Sequence, residues 1–293
     1  MTVDLQRLRE DICEVGRRLW TRGFVASNDG NISIRLPGDR LLVTPASVSK
    51  GFMSPEMMVI TDMEGRTIEA APGRKASSEI LMHLVAYRQR PDVQAVVHAH
   101  PPLSTGFAVA GIPLDRAVLA EVVTTLGSIP IAEYGTPSTP ELPAAVEPYV
   151  RTHDALLLAN HGALALGGDL FAAYYKMETI EHFARISLVA RMLGREHLLT
   201  QEEVGRLQQL RDRYGIASPA PVCVTETPGD IDPDCQTVVS PAVPGEQLVA
   251  DRPADAGGVP IGNRGEIQLT YGQLSTLIDE AVRQLAAPRA PRR

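Results

Sequence analysis

The chain has 293 residues, 44% hydrophobic and 22% charged, the proportions of a globular protein long enough for one sizeable core plus an appendage. A formal net charge of -7 and a pI near 5.5 exclude the basic footprint of a nucleic-acid binder. No apolar run reaches membrane-spanning length, and the opening residues have amphipathic helical spacing instead of a signal peptide's order, which predicts a cytoplasmic protein.

In chain order, Leu5, Leu8, Ile12, Val15 and Leu19 recur at helical spacing and predict a helix over 3–22. "GNISIRL" and "RLLVTP" flank "PGD" as a hairpin, and "MVITDMEGRTIEA" repeats the pattern around Glu64 and Gly65. "SSEILMHLVAYRQR" reads as a helix with serine at its start and Arg88 and Arg90 at its end. "VQAVVHAH" reads as a strand and "LSTGFAVAG" as a helix. Short strands at "SIPIAEY" and "DALLLAN" then flank a helix at "TPELPAAVEPYV". A long core helix at "DLFAAYYKMETIEHFARISLVARMLG" and a shorter one at "TQEEVGRLQQLRDRYG" complete the alternation. The product expected is an α/β fold, a mixed sheet with helices on both faces.

Residues 218–265 hold eight prolines, six glycines and two basic residues. That composition cannot easily build a packed core and predicts a flexible linker. It separates a domain over 1–217 from a tail over 266–293, where Leu274, Leu277, Ile278, Ala281, Val282 and Leu285 follow the i, i+3, i+4, i+7 rule of an amphipathic helix. Cys13, Cys223 and Cys235 lack metal-ligand or secretory spacing and are expected to be free thiols.

The chemistry concentrates in three places. His98 and His100 stand two apart at the end of a strand, so both imidazoles project to one side. His161 follows the apolar run "ALLLAN" and precedes Gly162, and Glu79 sits in the first turn of its helix. Three imidazoles and one carboxylate form the donor set of a catalytic divalent metal, commonly Zn²⁺. Serines at a helix start suit a phosphate, because unpaired N–H groups and the positive dipole end point at it. Glu178 and His182, four apart on the long helix, read as packing and polar partners. His83 reads as core or as support beneath the site, and Lys50, which could reach a phosphate, reads sooner as a solvated loop lysine.

Together, "SNDGNISIRL", "LLVTP", "SSE", "VVHAHPP", "ANHGALALG" and "RDRYGI" resemble the class II aldolase/adducin family, particularly its bacterial L-fuculose-1-phosphate aldolase branch. The resemblance runs in order through residue 216 or so. It implies a three-layer α/β/α sandwich around a mixed, mostly antiparallel central sheet, and a homotetramer with active sites at subunit interfaces. It further implies Zn²⁺ or another divalent metal on His98, His100 and His161, with Glu79 on or near the metal as the base. Asn31, Ser47, Ser77 and Ser78 would bind the phosphate of a sugar substrate, and Tyr214 would be a proton donor. The metal would act as a Lewis acid on the ketose carbonyl. In the branch a second tyrosine comes across the interface, and a phenylalanine lines the pocket; here those positions hold Leu119 and Pro137. Ala46 and Ser47 replace the threonine and glycine of the phosphate loop.

The reaction this implies is cleavage of a ketose 1-phosphate into dihydroxyacetone phosphate and lactaldehyde. Metal-dependent decarboxylases, dehydratases and epimerases share the scaffold. Glu79 argues against the epimerase branch, which usually has aspartate there. A non-catalytic adducin-like binding module is the reading from a different class, and the complete histidine set disfavours it. The tail resembles the encapsulation peptides that recruit enzymes to bacterial microcompartment shells, which would add shell proteins as partners and place the enzyme inside such a compartment.

Overall fold

The computed structural model describes residues 4–213 and Gly215. Tyr214, the linker expected over 218–265 and the helix expected over 266–293 lie outside the described residues.

Asp4 opens helix α1 (Leu5–Thr21) by accepting a hydrogen bond from the Arg7 backbone N–H at 3.1 Å, as an N-cap aspartate does. Two hairpins follow, β1 (Asn31–Leu36) with β2 (Arg40–Val43), then β3 (Val59–Asp62) with β4 (Thr67–Glu69). Helix α2 (Ile80–Gln89) leads into β5 (Ala95–Ala99), which is followed by α3 (Pro102–Ala110), α4 (Ala120–Thr125) and β6 (Ile131–Ala132). Helix α5 (Glu141–Val150), the hairpin β7 (Ala155–Leu158) and β8 (Gly162–Gly167), α6 (Leu170–Met192) and α7 (Gln201–Arg213) complete the order.

All eight strands join one sheet in the order β4-β3-β2-β1-β5-β8-β7-β6. Every pairing is antiparallel except β6 with β7. The mixed, mostly antiparallel sheet expected above is therefore present. Strand β8 and helix α4 were not anticipated as elements.

Side-chain alternation sorts the sheet onto two cores. Ile32 and Ile34 of β1 and Val97 of β5 face α1, α3 and α6 in one cluster with Ile12, Phe107 and Phe183. Val43, Val96 and Leu164 face α2 and α5 in the other, with Leu84, Tyr87 and Val146. The result is the three-layer α/β/α sandwich. Parity also fixes the working face: Asn31 and Ser33 on β1, and His98 on β5, share the side of the sheet that α2 covers.

Candidate active site

Strand register creates the first contact. β1 and β5 run antiparallel with Asn31 opposite His98. One strand further, β5 pairs with β8 and brings Ala99 opposite Ala163. The tight β7–β8 connection, with Asn160 at a left-handed φ of 54°, delivers His161 to the same spot. Ring centroids of the three histidines lie 4.9, 4.7 and 4.9 Å apart, each pair inclined by about 65°. One nitrogen from each ring lies within 4.8 Å of the other two.

The outer nitrogens fix which inner ones are free. Nδ1 of His98 is 2.9 Å from the Ala163 carbonyl oxygen, an acceptor, so Nδ1 carries the proton and Nε2 holds a lone pair. Nδ1 of His100 lies 3.3 Å from Asp29 Oδ2. The two Nε2 atoms approach to 3.1 Å, close to the separation of about 3.3 Å set by tetrahedral ligands at 2.0–2.1 Å from zinc. Burial holds both rings below the usual imidazole range, His98 strongly so, although Glu79 pulls the other way. Neutral rings are the form that binds metal. This donor set fits a divalent cation held by His98, His100 and His161.

Glu79 is the N-cap residue of α2. Its Oε2 accepts a 2.6 Å hydrogen bond from Asn31 Nδ2 and lies 3.4 Å from His98 Nε2; its Oε1 lies 3.2 Å from His161 Nε2. Burial opposes ionisation, yet the hydrogen bond with His161, the neighbouring imidazoles and the Asn31 amide together hold the carboxyl well below the usual carboxylate range. It is an ionised carboxylate poised beside the histidine cluster.

A cleft of about 200 Å³ opens from Glu79 and His100 and is lined by Asn31, Ser47, Ser77 and Ser78. Pro45 bridges Ala76, the Ala46 N–H donates to the Lys75 carbonyl at 2.8 Å, and the Ser77 N–H donates to the Thr44 carbonyl at 3.1 Å. Those bonds set the 45–47 turn against the serine pair. Ser47 has a left-handed backbone, with φ 57°, a conformation costing a non-glycine residue about 1–2 kcal/mol. The serine pair does not cap α2 as the sequence suggested. Ser77 accepts only a long 3.4 Å bond from the Glu79 N–H, and the Ser78 hydroxyl instead accepts a 2.7 Å bond from Ser138 Oγ.

Three further residues differ from expectation or escaped it. Lys50 is not solvated: it is 2% exposed. Asp29, which meets His100, stood inside the quoted "SNDGNISIRL" without being singled out, and Ser138, which meets Ser78, had no motif to mark it. His83 is fully buried, with Nδ1 2.7 Å from Ser33 Oγ, which also meets the Tyr87 hydroxyl at 2.8 Å. Glu178 pairs with Arg22 and Tyr174, away from any metal donor.

Residues 10–188 match the family described as Class II Aldolase and Adducin N-terminal domain. A 5-deoxy-D-ribulose 1-phosphate aldolase of Bacillus thuringiensis is 33% identical over 212 residues, covering 72% of this chain and 98% of its own. A 3-oxo-tetronate 4-phosphate decarboxylase of Haemophilus influenzae is 31% identical, covering 61% and 85%. The solved structure of an L-fuculose 1-phosphate aldolase superimposes with a TM-score of 0.66 at 27% identity, covering 72% of this chain and 98% of its own. With the matched segment spanning most of the described residues and the fold agreeing, the chain belongs to the class II aldolase and adducin family.

Proposed function

We propose that the protein is a divalent-metal-dependent aldehyde-lyase. It cleaves a ketose 1-phosphate between the carbons α and β to the carbonyl, giving dihydroxyacetone phosphate and a short aldehyde. The aldehyde is lactaldehyde when the substrate is L-fuculose 1-phosphate. The observation that carries this reading is the place of Glu79, an ionised carboxylate set between three converging imidazoles and a serine-lined cleft.

Bound by His98, His100 and His161, the cation, zinc in this reading, supplies Lewis-acid stabilisation of negative charge on the carbonyl oxygen. The chain's residues do the rest. Asn31, Ser47, Ser77 and Ser78 hold the phosphate and so fix the sugar carbons relative to Glu79. When the bond breaks, the β-hydroxyl loses its proton to become the aldehyde and the α-carbon gains one. Glu79 handles the proton at carbon, and Tyr214 serves the aldehyde oxygen. Asn31 orients Glu79 throughout.

The competing reaction is loss of CO₂ from a 3-oxo acid phosphate, the activity named for the Haemophilus relative. It also leaves a carbanion beside a carbonyl that must be protonated. The test is a screen of metal-loaded protein against L-fuculose 1-phosphate, 5-deoxyribulose 1-phosphate and 3-oxo-tetronate 4-phosphate, reading dihydroxyacetone phosphate and CO₂. Dihydroxyacetone phosphate should appear from a ketose 1-phosphate, together with its aldehyde and without CO₂, and Glu79→Gln should slow it by about 10²- to 10⁴-fold. CO₂ release with untouched ketose phosphates transfers the assignment to the decarboxylase.

The same reading extends to assembly. A homotetramer shares its active sites across subunits, in the cytoplasm, and the segment 266–293 docks the enzyme on a microcompartment shell.

A further inference from the structure

Lys50 lines the same cleft as Ser47, Ser77, Ser78 and Glu79, yet it is 2% exposed. A lysine buried to that degree needs a reason, because leaving water costs an ammonium ion several kcal/mol. Its Nζ donates to two backbone carbonyls, Asn28 at 3.0 Å and Val48 at 2.8 Å. A third ammonium proton has no protein acceptor among the described residues. The backbone behind it is braced from α1. A Cβ on Gly16 would lie 2.7 Å from the Lys50 carbonyl oxygen, and one on Gly51 would lie 2.5 Å from the Trp20 ring. The backbone of Lys50 and Gly51 is thus packed closely against α1.

The cleft has a charge problem that this residue answers. Asn31, Ser47, Ser77 and Ser78 are neutral, and Asp29 and Glu79 on its wall repel an anion. Among the described residues lining the cleft there is no arginine, and Lys50 is the single lysine. Burial pulls its ammonium down to about 8, with Asp29 and Glu79 opposing the shift, so the charge persists at neutral pH. We propose that Lys50 is an anion-binding residue of this cleft, whose fixed ammonium charge pairs with the phosphate dianion of the substrate. The inference rests on the reading of the cleft as a phosphate site.

The test is titration of full-length, metal-loaded protein with inorganic phosphate by calorimetry, wild type beside Lys50→Gln. Glutamine can still donate to the carbonyls but carries no charge. Removing a charge-assisted hydrogen bond should weaken phosphate binding by about 10- to 100-fold at an unchanged melting temperature. Equal affinity in the two proteins overturns the role of Lys50 and leaves the phosphate site standing. Absence of binding to wild type overturns both.

Should the variant not fold, the wild type still decides. The chain has only three lysines, Lys50, Lys75 and Lys176, so ¹³C-lysine labelling resolves each Cε. Phosphate should move the Lys50 resonance; a titration that leaves it in place while phosphate binds refutes the proposal.

Discussion

A methyl group at position 162 would sit 2.6 Å from the Ala99 carbonyl oxygen and 2.6 Å from Cδ2 of His100. Neither neighbour is free to retreat, because Ala99 is in β5 and the His100 ring is packed among two others. Gly162→Ala should therefore turn His100 out of the cluster and weaken metal binding by about 10- to 100-fold, the range seen when support for a ligand is disturbed. Competition with a fluorescent zinc chelator measures this, and wild-type affinity in the variant would refute it. At this scale the sequence was informative where chemistry has a local signature. Two histidines two apart on a strand must share a side, and an acid at a helix start was visible in "SSE". The reach of Lys50 toward a phosphate was visible but its burial was not, because its backbone packs against Gly16 of a helix over thirty positions earlier. Asp29, although inside a quoted motif, and Ser138, outside any, escaped notice because each acquires its partner only through folding.

Helix α2 links site and core. Its start holds Glu79, and one turn on, His83 is sealed against Ser33 with its ring held down to about 4 by burial, which outweighs the attraction of Glu79. In the unfolded chain that ring titrates near 6.5, so the unfolded state binds more protons between the two values. Stability is full above about 6.5 and falls as pH drops toward about 4, by about 3 kcal/mol for this group. Denaturant unfolding of the metal-free protein at pH 7 and pH 5 should show the loss, and His83→Asn should flatten it while being less stable at pH 7. An equal slope in the variant would assign the pH dependence elsewhere. Helix α1 was readable from its spacing, α2 from the serine at its start and the arginines at its end, and α6 from the length of its run. "GALALG" was not read as β8, because it lacks the β-branched and aromatic residues that mark strands. Helix α4 has six residues, too few turns for a periodic stripe. The serine cap expected on α2 failed because Glu79 takes the N-cap position and the Ser78 hydroxyl pairs with Ser138.

For the molecule as a whole, alternation of strands and helices predicted layers on both faces of a sheet. Strand order could not be read, since β1 meets β5 and β5 meets β8 across long stretches of chain. The tail reading makes its prediction here. Deleting 266–293 should leave solution turnover unchanged while abolishing co-sedimentation with shell proteins. Loss of the proposed tetramer by light scattering would instead mean that the segment packs on its own oligomer. A different kind of consequence follows from Asn31 standing opposite His98. Sides of a strand are assigned by odd and even position, so adding one residue within β1 or β5 would send one of the two to the wrong side, whereas adding two would restore it. An even insertion is thus the kind these two strands tolerate, and the connecting turns, which obey no such parity, are where length can vary freely.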